Sequence, residues 1–259
     1  MDERLLSQVE DAGLNASAPP EQRWMDGWLV RFSPGKAKRA RCVNAVAPGR
    51  LPLDDQLAAV AAVYRASGLP LYVRLTPFTQ PPGLEQALAE RGFASEDDTR
   101  VMICPRLQPA EPPALPSGVA WEASDGPAFA AAVGELRGSP PVQRAAHATR
   151  LVHSPVPYRG FVIRRQDDGC ILACGQTARE GRFVGLYDVY TRDSARGQGW
   201  ARLLCQRLLS LQANEGVTVA YLQVEADNAP ARHIYQALGF ADAYAYHYRR
   251  APDAVASAA

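Results

Sequence analysis

The segment that most restricts the fold is residues 183–214. There an apolar strand pattern from Phe183 to Thr191 runs through Arg192-Asp193-Ser194-Ala195-Arg196-Gly197-Gln198 into a helix from Gly199 to Asn214. Leu203, Leu204, Leu208 and Leu211 fall on one side of that helix, which therefore needs a sheet to lie on. A glycine-bearing turn between strand and helix can aim several backbone amides at one anion, and the helix dipole adds to their field. Gly197 and Gly199 let backbone approach a ligand without a Cβ in the way. The third glycine of a dinucleotide fingerprint is missing, and so is the Gly-Lys-Ser/Thr ending of a nucleotide P-loop. Taken alone, the turn admits a plain helix start as well as an anion site.

The surrounding pattern predicts a mixed α/β chain. Before the turn come a strand near Val119–Trp121, a helix over 127–136 capped by Asp125, and a helix over 142–152. Strands follow over 160–164 and 170–177, with Asp168-Gly169 and Glu180-Gly181 as tight turns. After the turn come a strand over 217–224, a helix over 229–238 and a strand over 243–248. That order gives a meander followed by βα and βαβ units. Strict alternation along 183–191 puts Tyr187 and Tyr190 on opposite faces.

An earlier half precedes these elements. It reads as a short helix within 1–20, strands over 28–32 and 39–46 around Pro34-Gly35, a helix over 53–66, a strand over 71–75, a helix over 84–91 and a strand over 99–104. Pro105, Pro109, Pro112, Pro113 and Pro116 then forbid a packed helix or central strand. The expected organisation is a helical segment over 1–20, a domain over 21–107, a proline-rich connector over 108–116, a second domain over 117–250 and a flexible tail over 251–259. Helix, Gly-Phe, strand occurs in both halves, at Gly92-Phe93 and Gly239-Phe240, and suggests a duplicated fold.

Charge narrows the function classes. Lys and Arg number 28 against 27 Asp and Glu, so bulk charge gives no support to nucleic-acid binding. Lys36, Lys38, Arg39 and Arg41 read as a solvated hairpin. No apolar run reaches membrane-spanning length and the first residues lack a signal-peptide core, so a cytoplasmic chain with no membrane or nucleic-acid partner is expected. The five cysteines form neither a disulfide framework nor metal-ligand spacing, and no metal site is assigned.

A second segment makes the first specific. Asp227-Asn228-Ala229-Pro230-Ala231-Arg232-His233-Ile234-Tyr235-Gln236-Ala237-Leu238-Gly239-Phe240 follows the turn after one strand. Arg196, Gly199 and Ala201 resemble the Gln/Arg-x-x-Gly-x-Gly/Ala pyrophosphate motif of the GCN5-related N-acetyltransferase superfamily. Asn228, Ala231, Tyr235, Gly239 and Phe240 are similar to that family's Asn-x-x-Ala-x-x-x-Tyr-x-x-x-Gly-Phe. The motifs cover about 186–240, and the fold pattern extends the resemblance to about 117–250. Family members commonly carry Pro where this chain has Asp193, a change of stiffness and charge that leaves the amides in place. The N-terminal half resembles a degenerate copy with neither motif, expected to pack and to shape the acceptor cleft.

The resemblance implies two tandem acetyltransferase-like domains of α/β class, with mixed, mostly antiparallel sheets flanked by helices and a cofactor-binding strand splay in the second. Acetyl-CoA would be the acyl donor. Its arm would lie between the strands at 183–191 and 217–224, against Val189, Tyr190 and Thr191, and its pyrophosphate would meet Arg196, Gly197, Gln198, Gly199, Trp200 and Ala201. Asn228 would orient the cofactor or cap the helix bearing Tyr235; both readings are compatible. Tyr235 is the expected general acid, against a purely structural role among Ile234, Leu238 and Phe240. Asp188 and Glu225 flank the splay and are the candidate bases, each with a structural alternative as ion-pair partner or strand-end cap, while a water relay or an amine that arrives neutral stays open. His233 is expected at the surface. The acceptor reads as a small-molecule amine rather than a peptide terminus, with a homodimer admitted. The alternative function is a CoA-binding regulatory or interaction module without turnover.

Overall fold

A computed structural model describes residues 2–252. The elements are, in chain order, α1 (Glu3–Ala16), β1 (Gln22–Met25), β2 (Trp28–Arg31), β3 (Val43–Ala45), α2 (Leu53–Ala66), β4 (Tyr72–Leu75), α3 (Leu84–Glu90) and β5 (Ala94–Cys104). There follow β6 (Val119–Ser124), α4 (Gly126–Leu136), α5 (Pro141–Val152), β7 (Tyr158–Arg165), β8 (Ile171–Glu180), β9 (Phe183–Thr191), α6 (Trp200–Asn214), β10 (Val219–Glu225), α7 (Ala229–Ala237) and β11 (Ala241–Arg250).

The chain divides into two compact units that are not contiguous segments. One holds residues 1–16 and 101–243, the other 17–100 and 244–259. The chain passes between them after α1, inside β5 and again inside β11, so the expected boundaries at 107 and 117 do not coincide with the unit boundaries. Of the expected tail, 253–259 lie outside the described residues, while Ala251 is buried and its amide donates to Leu71 O at 3.0 Å.

In the unit that holds residues 101–243, the strand order from β10 is β10-β9-β8-β7-β6, with β5 beside β10. β9 and β10 run parallel; β6, β7, β8 and β9 pair antiparallel. One face carries α6 and Tyr235 of α7 on a core that includes Phe161, Ile163, Leu172, Val184, Leu186, Leu204, Leu208 and Phe240. The other face carries α4 and α5 on Phe129, Val133, Leu151, Val162 and Cys174. Covered on both sides, β8 is buried from Ile171 to Ala178. A Cβ on Gly160 would stand 2.6 Å from Phe129 Cδ2, so glycine there lets α4 lie close on β7. Burying an aromatic such as Phe129 stabilises by about 1.5–3 kcal/mol. The proline-bearing connector forms no regular element, as expected, but it is pinned: Leu107 N donates to Thr218 O at 2.8 Å and Asn214 Nδ2 to Ala110 O at 3.1 Å.

In the other unit, β1-β2-β3-β4 are neighbours and the end of β11 pairs antiparallel with β4. α2 and α3 lie over Trp28, Val43, Leu57, Tyr64, Val73 and Leu88. β1 is an element the sequence reading missed. Its signal was Asp26-Gly27, whose φ values of 43° and 83° are those of a tight hairpin turn. Lys38 is not free in solvent as the basic hairpin suggested: it pairs with Glu96 and Asp97 at 2.7 and 2.8 Å and lies over the Tyr72 ring. No helix of the described residues is long and apolar enough to cross a membrane.

Candidate active site

The site begins where two parallel strands part. β9 and β10 pair from Phe183 with Val219 to Leu186 with Leu222, and pairing stops there although β9 continues to Thr191 and β10 to Glu225. A cause lies on the other side of β9. Gln176 of β8 faces Tyr187 and Cys174 faces Tyr190, so Gly175 stands opposite both Asp188 and Val189. This β-bulge bends β9 away from β10. Asp188 takes φ 51°, a left-handed conformation that Asp tolerates better than most residues.

The bulge also re-aims side chains. Regular alternation would send Asp188 with Leu186 toward α6; instead it contacts α4 and α5, while Val189 packs on the α6 side. Tyr187 and Tyr190 accordingly share the α4–α5 face, not opposite faces as alternation predicts. The extra bulge residue supplies the missing half-period. Tyr187 hydrogen-bonds Tyr221 through the hydroxyls at 3.1 Å, and Tyr190 packs beside α4.

Three donors close around Asp188. Arg137 Nη1 lies 2.8 Å from Oδ1, Gln176 Nε2 2.7 Å from Oδ2, and His147 Nε2 3.3 Å from Oδ2. The last contact has ion-pair distance but bent geometry, so it fails as an aligned hydrogen bond. Burial alone would raise this carboxyl, but the His147 contact and the positive charges of Arg137 and Arg150 outweigh it and hold the group well below the usual carboxylate range. Such a carboxylate is a weak proton acceptor. Neither Arg137 nor His147 was singled out by sequence reasoning: both sit on helices with no motif around them, and only the fold brings them to the bulge. Glu225, the other candidate base, ends β10 exposed and without an ion pair among the described residues.

Beyond β9 a single 3-10 turn, Asp193–Ala195, leads to Gly197 and Gly199, with φ of 76° and 84°. Gly199 caps α6 in the left-handed region, where a side chain costs about 1–2 kcal/mol. The first helical bond of α6 runs from Leu203 N to Gly199 O, so the amides from Gly197 to Arg202 donate to no acceptor among the described residues. Apart from the chain neighbours, no described residue stands within 4 Å of where a Cβ would sit on Gly197 or Gly199. Here is an open nest of donors at a helix N-terminus, suited to a diphosphate. Arg196 is exposed beside it, paired with Asp193 at 2.7 Å and hydrogen-bonded to Tyr190 Oη at 3.2 Å. Trp200 Nε1 donates to Gln198 Oε1 at 3.1 Å, and the buried Thr191 Oγ1 at the end of β9 has no hydrogen-bond partner among the described residues.

Asn228 caps α7: its side chain accepts from Ala231 N at 3.2 Å. Tyr235, 9% exposed, points into the α6-side core with Phe240 edge-on at 6.1 Å. Burial, then the neighbouring Cys205, pushes the phenol above its ordinary value, and no hydrogen bond from the described residues engages the hydroxyl. His233 is exposed, two residues away on another face. Burial pushes the thiols of Cys174 and Cys205 up to about 12. No group of three or more His, Cys, Asp or Glu among the described residues could hold a metal ion.

Comparison with known proteins adds to this geometry. Residues 6–249 match the family model described as "Probable histone acetyltransferase Rv0428c C-terminal". A relative from Bacillus subtilis (strain 168), named "Uncharacterized N-acetyltransferase YobR", is 24% identical over 88% of this chain and 91% of its own. The structure of a GCN5-related N-acetyltransferase from Kribbella flavida shares the fold with a TM-score of 0.66 at 18% identity, over 95% of each chain. A tandem protein of that superfamily from the clavulanic acid biosynthesis pathway superposes with a TM-score of 0.61 at 17% identity, over 77% of this chain and 70% of its own.

Proposed function

The chain belongs to the family of the probable histone acetyltransferase Rv0428c C-terminal region, and from that premise we propose that it moves an acetyl group from acetyl-CoA to a primary amine of a small molecule. The observation that carries the reading is the open nest of amides at Gly197–Arg202, beside a strand splay that ends in Thr191. The residues fit the donor: the amides from Gln198 to Ala201, with Arg196 and Gly197, would hold the pyrophosphate, and the unpaired edge of Val189, Tyr190 and Thr191 would hold the arm. Bound there, acetyl-CoA supplies an activated thioester.

The chain's own groups do the rest. A backbone amide near Thr191 would stabilise the negative charge that develops on the carbonyl oxygen. Tyr235, un-ionised at neutral pH and with a hydroxyl that no described residue engages, gives its proton to the departing thiolate. Asn228 fixes the start of α7 and through it Tyr235. Because burial keeps Cys174 and Cys205 as thiols, direct attack by the amine in a ternary complex is preferred over an acylated cysteine.

We further read the unit holding residues 17–100 as a second acetyltransferase-like copy without a CoA site. Support comes from the tandem relative and from the repeated helix, Gly-Phe, strand order at α3, Gly92-Phe93 and β5. The test of function is a thiol-release screen over amines, amino acids and peptides, with product masses recorded. An acetylated small amine is the expected product. Acetyl-CoA binding with no thiol released on any acceptor would instead favour a binding module.

A further inference from the structure

The acyltransfer reading needs a group to take the acceptor's proton, because an amine reaches the site mostly as ammonium at neutral pH. Neither carboxylate expected for this task is well suited. Asp188 accepts hydrogen bonds from Arg137 and Gln176 with His147 at ion-pair distance, and Glu225 is solvated at the end of β10. His147 is different. Its side chain is 18% exposed, its Nε2 is buried against Asp188 Oδ2, and Nδ1 is left as the nitrogen able to take a proton.

Its position follows from the bulge. The left-handed turn of Asp188 carries the carboxylate to the α4–α5 face, where α5 presents His147. Tyr235 belongs to the core on the α6 face. Where the pairing of β9 and β10 stops after Leu186 and Leu222, Asp188 and His147 therefore stand on the α4–α5 side of β9 and Tyr235 on the α6 side. We propose that His147, oriented by Asp188, is the general base that deprotonates the acceptor ammonium; this rests on the acyltransfer reading.

The step balances. The ammonium proton passes to the imidazole, and the freed lone pair forms the C–N bond as the C–S bond breaks. The thiolate takes the Tyr235 proton, the nitrogen's second proton restores the phenol, and the imidazolium releases its proton to solvent. The charged groups that act on Asp188 are His147 and Arg150 on α5 and Arg137 from the end of α4; Gln176 and the un-ionised Cys174 face the cluster from β8.

The test is the pH dependence of kcat/KM for an amine acceptor found by the thiol-release screen, in wild type, His147→Gln, Asp188→Asn and Glu225→Gln. His147→Gln is expected to lower kcat by about 100-fold or more and to abolish the acidic limb, with acetyl-CoA affinity by calorimetry unchanged. Asp188→Asn, which removes the charge that orients the imidazole, is expected to lower kcat by about tenfold with the KM for the amine and the acetyl-CoA affinity unchanged; this stands even if His147→Gln fails to fold. An unaltered limb in His147→Gln, or a limb that leaves with Glu225 instead, overturns the assignment while wild-type turnover keeps the acyltransfer reading. A wild type that releases thiol to no amine brings down that reading and this step with it.

Discussion

Arg137 Nη1 reaches Asp188 Oδ1 at 2.8 Å, joining the residue that ends α4 to the bulged residue of β9. The contact ties a helix pair to the place where β9 leaves β10, so the carboxylate that shapes the site also holds it together. Removing one partner of such a pair leaves the other charge poorly compensated, which costs several kcal/mol when fully buried. Arg137 and Asp188 retain 31% and 18% exposure, so Asp188→Ala should cost about 2–3 kcal/mol, read from urea denaturation.

The same contact predicts an acid response. The folded carboxyl is depressed, so its stabilisation is fully present above the unfolded value near 3.9 and is lost as pH falls through the lower folded value. The urea midpoint of wild type should therefore drop below about pH 4 more steeply than that of Asp188→Asn. Parallel curves for the two proteins would contradict the depression.

Tyr235→Phe removes a hydroxyl that makes no hydrogen bond to the described residues and leaves the ring against Phe240. The fold and CoA affinity should survive while kcat drops by about two to four powers of ten. Steady-state kinetics beside a thermal melt separate the two effects; an unchanged maximal rate would return Tyr235 to the core.

Asp193 stands at 2.7 Å from Arg196 and would compete with the pyrophosphate proposed to bind there. The pair is exposed, so its effect is modest and screened by salt. Asp193→Asn should tighten CoA binding by about two- to fivefold in dilute buffer, and the gain should vanish at roughly 0.5 M salt. A gain that persists in salt would point to backbone stiffness at the turn instead.

Much of the architecture was legible locally. α2 over 53–66 and β9 over 183–191 fall where periodicity set them, and Asp125 and Asn228 cap the helices they precede. Capping, turn glycines and apolar spacing are short-range effects, so a single sequence carries them. The bulge at Asp188 and Val189 was not legible, because it depends on which β8 residue stands opposite; Gly175 has meaning only once paired. His147 and Arg137 escaped for the same reason, being joined to Asp188 by packing rather than spacing. The unit boundaries inside β5 and β11 leave no composition change, unlike the proline run that drew attention to 105–116.

The central claim is that the amides following Gly197 receive a diphosphate. Calorimetric titration of CoA into wild type and Gly199→Trp examines it directly, since an indole there would occupy the open approach to the nest and strain a residue at φ 84°. The account predicts saturable binding to wild type and an affinity at least tenfold weaker in the variant, about 1.4 kcal/mol. Equal affinities in the two proteins would contradict it.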